Sequence, residues 1–106
     1  MRSPDELEEL KLICSSALEM KEGEIAFILL PNLKVFGHGE MDALLCPQAR
    51  DGYTTRLFLA RQVPGRGNNW SSHRILDRAW VTWSWNNVPA DLRLVEILAN
   101  HLSALR

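Results

Sequence analysis

The chain has 106 residues, 46% of them hydrophobic, with a formal net charge of −1. That length sets one domain with a core large enough to need neither disulfide nor metal, and the charge excludes bulk electrostatic attraction to nucleic acid or to an anionic membrane. No apolar run is long enough to span a bilayer, and the acidic opening MRSPDELEEL is unlike a signal peptide. A cytoplasmic protein with free thiols at Cys14 and Cys46 is therefore expected.

The two halves differ in charge. Residues 1–49 carry four basic and nine acidic side chains, and residues 50–106 carry eight basic and four acidic. Every basic residue after Lys34 is an arginine, the residue suited to forked contacts with carboxylates or carbonyls. The asymmetry fits either a partner surface or an internal match between the first helix and the rest.

In chain order, Ser3-Pro4-Asp5-Glu6 reads as a helix start, with Ser3 as N-cap and Pro4 in the first turn. Leu7, Leu10, Cys14, Ala17 and Leu18 fall on one helical face, and Gly23 supplies a C-terminal stop. Strand character follows in EIAFILL (24–30), LKVF (33–36), MDALLC (41–46) and YTTRLFLARQV (53–63), joined by short turns that favour an antiparallel meander. PGRGNN (64–69) is loop. AWVTWSW (79–85) reads as a fourth strand, with Trp83 and Trp85 on the core face and Trp80 on the opposite, more exposed one. Leu92, Val95, Leu98, Leu102 and Leu105 line one side of a closing helix. The fold class is thus α+β: N-terminal helix, three- to four-stranded antiparallel meander, irregular Trp-rich segment, C-terminal helix. Leu10, Cys14, Phe27, Leu29, Leu44, Leu57, Leu59, Trp83, Val95, Leu98 and Leu102 are expected in the core.

Catalytic motifs are missing. Nothing matches a phosphate-binding loop, a dinucleotide fingerprint, a nucleophile elbow or a zinc helix. Cys14, Cys46, His38, His73 and His101 lack the close pairs of a zinc site, so no metal and no cofactor are expected. Cys46 is a nucleophile only if a base such as His38 or His73 comes near it in space; otherwise it is a small buried hydrophobe. His73 follows the glycine-rich loop, where a ring can cap a turn, bind a partner or move a proton. His101 reads as a flank of the packing stripe or a charge near a helix end.

The order of FILLPNLKV (27–35), MDALLCPQ (41–48), GYTTRLFLA (52–60), NNWSSH (68–73) and DLRLVEILANHLSAL (91–105) resembles the ubiquitin-conjugating (E2) fold. It is most similar to the divergent bacterial group called prokaryotic E2 family E. The chain departs from that family where the chemistry lies: Tyr53 is followed by Thr54 rather than proline, the His-Pro-Asn triplet is absent, and no cysteine follows Cys46. The resemblance implies a non-catalytic E2-like interaction module in a bacterial ubiquitin-like modification or antiphage-defence system, partnered by a ubiquitin-like protein or an E1-like enzyme. The alternatives are a conjugating enzyme using Cys46 with His73 as helper, and an unrelated small α+β homodimer. The expected binding surface is Trp70, His73, Arg74, Arg78 and Trp80, with Trp70 holding the 64–78 loop through its ring N–H.

Overall fold

The structure is a computed structural model and describes residues 4–106; the expected N-cap Ser3 lies outside them. Two helices, α1 (Pro4–Leu10) and α2 (Leu94–Ser103), pack on one face of a six-stranded antiparallel sheet. The strands are β1 (Leu18–Glu22), β2 (Ile25–Val35), β3 (Gly39–Cys46), β4 (Arg56–Leu59), β5 (Ser71–Ile75) and β6 (Arg78–Thr82), in the spatial order β1-β2-β3-β4-β6-β5. The α+β class with terminal helices flanking an antiparallel sheet is as expected, with two more strands than the pattern promised. Among the described residues no helix is long and apolar enough to cross a membrane.

The first extra strand lies inside the expected first helix. Helix α1 stops at Leu10, and looser turns continue to Cys14, whose amide still bonds the Leu10 carbonyl at 3.0 Å. Ser15 and Ser16 then interrupt the helix; serines readily divert backbone bonds into turns. Residues 18–22 instead pair with β2 in register Leu18↔Leu29 through Glu22↔Ile25. Gly23 does adopt positive φ (61°), but as the first residue of a two-residue hairpin turn and not as a helix stop. Further along, β2 and β3 match the reading closely, with a register irregularity at Pro31-Asn32 where the sequence breaks. The strand expected over 53–63 shrinks to Arg56–Leu59, because the Thr54 and Thr55 hydroxyls turn to the Val88 carbonyl at 2.8 and 2.9 Å.

The second extra strand, β5, pairs with β6 through a tight turn at Leu76-Asp77, both at positive φ (54° and 62°). Such turns ordinarily carry Asn-Gly, so the sequence concealed this hairpin. Strand β6 ends at Thr82, and the alternation that put Trp85 inside ends with it: Trp85 is 41% exposed.

Alternation along the strands builds two apolar clusters. Ile28, Leu30, Met41, Ala43, Leu45, Leu57, Leu59 and Trp83 face the helices and meet Leu10, Leu94, Ile97 and Leu98. Phe27, Leu44, Cys46, Phe58, Ile75 and Trp80 form a smaller cluster on the other face. Eight of the eleven expected core residues are buried, and Leu29, Val95 and Leu102 pack partly buried against the clusters. Helix α1 also fixes the start of α2: Glu6 accepts the Leu94 amide at 3.0 Å, and Glu9 pairs with Arg93 at 2.9 Å. A carboxylate at a helix N-terminus satisfies an otherwise unpaired amide and the dipole together.

His101 is buried inside the helix-side core, against the edge of Trp83 and 2.8 Å from the Thr55 hydroxyl. Thr55 gives its one proton to the Val88 carbonyl, so it accepts from the His101 Nε2–H, and the ring is a neutral donor. The alternative of a charge near a helix end does not hold. Burial first, and the Arg56 charge second, push His101 down to about 4 from its ordinary 6.5. The unfolded chain therefore takes up the proton first as pH falls. This contribution to stability is complete above pH 6.5 and is lost as pH drops toward 4, by about 3 kcal/mol in all. Denaturant unfolding at stepped pH should show that slope in the native protein and a flatter one in His101→Leu; equal slopes would place the titration elsewhere.

Candidate functional site

The face away from the helices carries the chemistry. No helix among the described residues covers it, and the chain folds back on it in two places. After Cys46, residues 47–55 turn over and close through paired bonds between Arg50 and Tyr53, each 3.0 Å. That fold lays the Arg50 guanidinium over the rings of Phe27 (6.0 Å) and Phe58 (5.7 Å). From the other side the β5–β6 hairpin brings His73 edge-on to Phe58, with centroids 5.4 Å apart.

Between these lies Arg56, 6% exposed, stacked 3.8 Å over the Tyr53 ring. Its Nη2 reaches the Trp83 carbonyl at a long 3.5 Å, and its Nε is sealed with no partner. No carboxylate pairs with it among the described residues. Buried cations ordinarily have a partner, since desolvating an unpaired charge is costly. Burial lowers its affinity for its proton, Tyr53 and the nearby Asp51 carboxylate work against that lowering without making a salt bridge, and the Arg50 charge adds to it. His73 is pushed below its ordinary value by burial and then by Arg56 and Arg50, while its Nε2 lies 3.0 Å from the Ser71 hydroxyl. Arg50 has one anion beside it, Asp51 at 2.8 Å, itself largely exposed. The result is a patch of two guanidiniums and an imidazole set among aromatic rings.

The expected site residues divide. His73 belongs to this patch. Trp80 does not line a groove: it is 2% exposed, its N–H bonds the Ile75 carbonyl at 3.2 Å, and Arg78 stacks over it at 4.4 Å. The opposite face was read as exposed because only one helix-covered core was anticipated; the second cluster takes Trp80 instead. Arg78 is held by Asp42 at 2.7 Å, which also accepts the Asn32 amide; these bonds hold that carboxyl below its ordinary value. Arg74 is exposed and lies 3.6 Å from Asp77. Trp70 sits on the helix side against Trp83, its N–H on the Arg66 carbonyl at 2.9 Å, and closes the 64–69 loop as expected. Its ring lies so close to Gly67 that a Cβ there would meet it at 3.0 Å.

Cys46 is wholly buried, donates to the Gln48 carbonyl at 3.4 Å, and burial pushes its thiol up. His38 sits beyond the far end of β3, separated from it by about 23 Å of strand, so it cannot serve as its base. No hydrogen bond joins Cys46 to His73. Sequence reading missed Arg50 and Arg56. Their signal was the segment ARDGYTTR (49–56), with an arginine on each side of a turn, but nothing in it told which arginine would lack an acid.

Comparison with family models, with curated proteins and with solved structures finds no match to this chain.

Replacing Arg56 by methionine keeps the stem and removes the unpaired charge. Arg56→Met should raise unfolding stability by about 1–3 kcal/mol in a denaturant titration. A loss of similar size would mean that its stacking on Tyr53 outweighs the cost of burial and that the residue is structural.

Proposed function

We propose that this chain is a non-catalytic binding module that takes an anionic segment of a protein partner on the open face of its sheet. The observation that carries this reading is Arg56, a nearly buried guanidinium with no acid of its own, flanked by Arg50 and His73. An arrangement that keeps such a charge unpaired, against its own stability, is of the kind found where a ligand supplies the missing partner. The aromatic floor of Tyr53 and Phe58 lowers the local dielectric, which strengthens a carboxylate contact relative to one in open water.

The resemblance to the E2 fold narrows the partner class. On that resemblance alone, the proposal extends to an E2-like module that engages a ubiquitin-like protein or an E1-like enzyme in a bacterial modification or antiphage-defence system. The conjugating alternative has no comparable support, since Cys46 is sealed, holds its proton and has no hydrogen-bonded base.

Two measurements test this. In a heteronuclear NMR titration, a peptide with acidic residues and a free C-terminal carboxylate should shift the amides of Arg56, His73 and Ser71. Arg56→Gln should abolish those shifts; shifts that persist unchanged in the variant, or that fall only elsewhere on the protein, would overturn the assignment. Separately, a thiol-specific disulfide reagent should react with Cys46 only as fast as the native protein opens. Reaction at the rate of a free thiol would return the enzyme reading to contention.

A further inference from the structure

Strand β1 is an edge: it pairs with β2 on one side, and no strand among the described residues pairs with the other. Its residues Leu18-Glu19-Met20-Lys21-Glu22 are exposed except for a half-buried Met20. The two-residue turn fixes which backbone groups are unpaired. Glu22 and Ile25 close the hairpin, and the closing pair of such a turn is hydrogen-bonded, so the bonded positions alternate from there. Glu22, Met20 and Leu18 therefore bond to β2, while Glu19 and Lys21 direct their N–H and C=O groups outward.

We infer that β1 is a self-association edge, pairing antiparallel with β1 of a second copy of this chain about a two-fold axis at Met20. That register sets Glu19 of each copy opposite Lys21 of the other. Those are the two residues with free backbone groups, so each pair exchanges both backbone bonds and brings opposite charges together. Neighbouring two-fold registers lack this property: an axis at Glu19 sets carboxylate against carboxylate, and one at Lys21 sets ammonium against ammonium. Charges on an edge strand ordinarily deter pairing. Here the order Glu-Met-Lys deters the other registers and favours one. A two-fold interface also needs a self-complementary patch, and the opposite edge fails that requirement: β5 (Ser71–Ile75) carries His73 and Arg74 with no acid.

Apolar area at the same end of the sheet supports the pairing. Leu18 is 54% exposed, and Leu12 and Ile13, in the turn that leads into β1, are 87% and 59% exposed. That turn is tied to the sheet by the Cys14 thiol, which donates to the Pro31 carbonyl at 3.3 Å. Glu19 and Lys21 also line a cleft of about 510 Å³ with Glu6, Glu24, Ala26 and Gln48, so the second strand would border that cleft. A five-residue strand with this flank predicts a modest dimer and not an obligate one.

The test is a charge-swap cycle read by sedimentation equilibrium from micromolar to sub-millimolar protein, with circular dichroism melts as a folding control. The native chain should show a concentration-dependent dimer. Glu19→Lys alone and Lys21→Glu alone each place two like-charge pairs in the interface and should weaken dimerisation about tenfold or more. The double variant restores both attractive pairs and should return to near the native constant. A native chain that stays monomeric throughout, a dimer indifferent to the single swaps, or a double variant no better than the singles would each overturn the inference. Because Glu19 and Lys21 line a cleft with Glu6 on the helix side of the sheet, the face opposite Arg56 and Phe58, none of these outcomes bears on anion binding.

Discussion

The central strands of this protein are apolar on both faces, yet the two helices among the described residues cover only one. All four residues of β4 are buried, as are the last four of β3, so the second face must be closed by some other means. The sheet does this by bringing its two hairpin tips together. The Leu76 amide, in the β5–β6 turn, donates at 2.6 Å to the carboxylate of Glu22, at the β1–β2 turn. A charge-assisted bond of this kind is stronger than a neutral one. Leu76 itself is in a left-handed conformation that a bulky side chain rarely adopts, and it packs against Phe27's cluster beside Ile25 and Leu29. Trp80 and Ile75 are buried in that same cluster, and His73 and Arg56 lie against Phe58, another of its members.

The charge asymmetry between the halves finds its explanation in the same contacts. Glu6 and Glu9 meet the start of α2, Glu22 meets Leu76, and Asp42 meets Arg78. Acids from the first half are thus matched to amides and arginines of the second, which is the internal pairing that the sequence allowed. The asymmetry was a record of tertiary contacts more than a sign of a partner. What it leaves over is informative: Arg61, Arg66 and Arg106 also make no contact with an acidic side chain among the described residues but are exposed, whereas Arg56 is buried.

Legibility in the sequence tracked how local the deciding physics was. The closing helix was readable because Val95, Leu98 and Leu102 repeat at helical spacing, and β2 and β3 because apolar runs ended in clear turns. The stretch from Cys14 to Gly23 was misread because Leu7, Leu10, Cys14 and Ala17 keep helical spacing although a hairpin prevails; a glycine with positive φ serves a helix stop and a hairpin turn equally. The β5–β6 hairpin was hidden by Leu76-Asp77, a pair unusual for such a turn, whose Leu76 amide is met by Glu22, 54 residues earlier in the chain. Trp80 and Trp85 exchanged their expected roles for the same reason. Alternation gave the two faces correctly through Thr82, but no local feature announced a second cluster on the far one. The candidate site was legible only in His73, since the isolation of a guanidinium is a property of the assembled fold.

That isolation also bears on strength of binding. A charge pair formed between two groups in water gives little, because each must shed its hydration. For Arg56 most of that desolvation is already borne by the fold, in the rings of Tyr53 and Phe58 and the strands around them. On the proposed reading, an arriving carboxylate would have only its own hydration to lose and would meet donors fixed in place by β4, by the Arg50–Tyr53 turn and by the β5–β6 hairpin. Preorganisation of this kind lowers the ordering cost of association. On that reading, the rings that shelter Arg56 therefore convert a structural liability into a directed one.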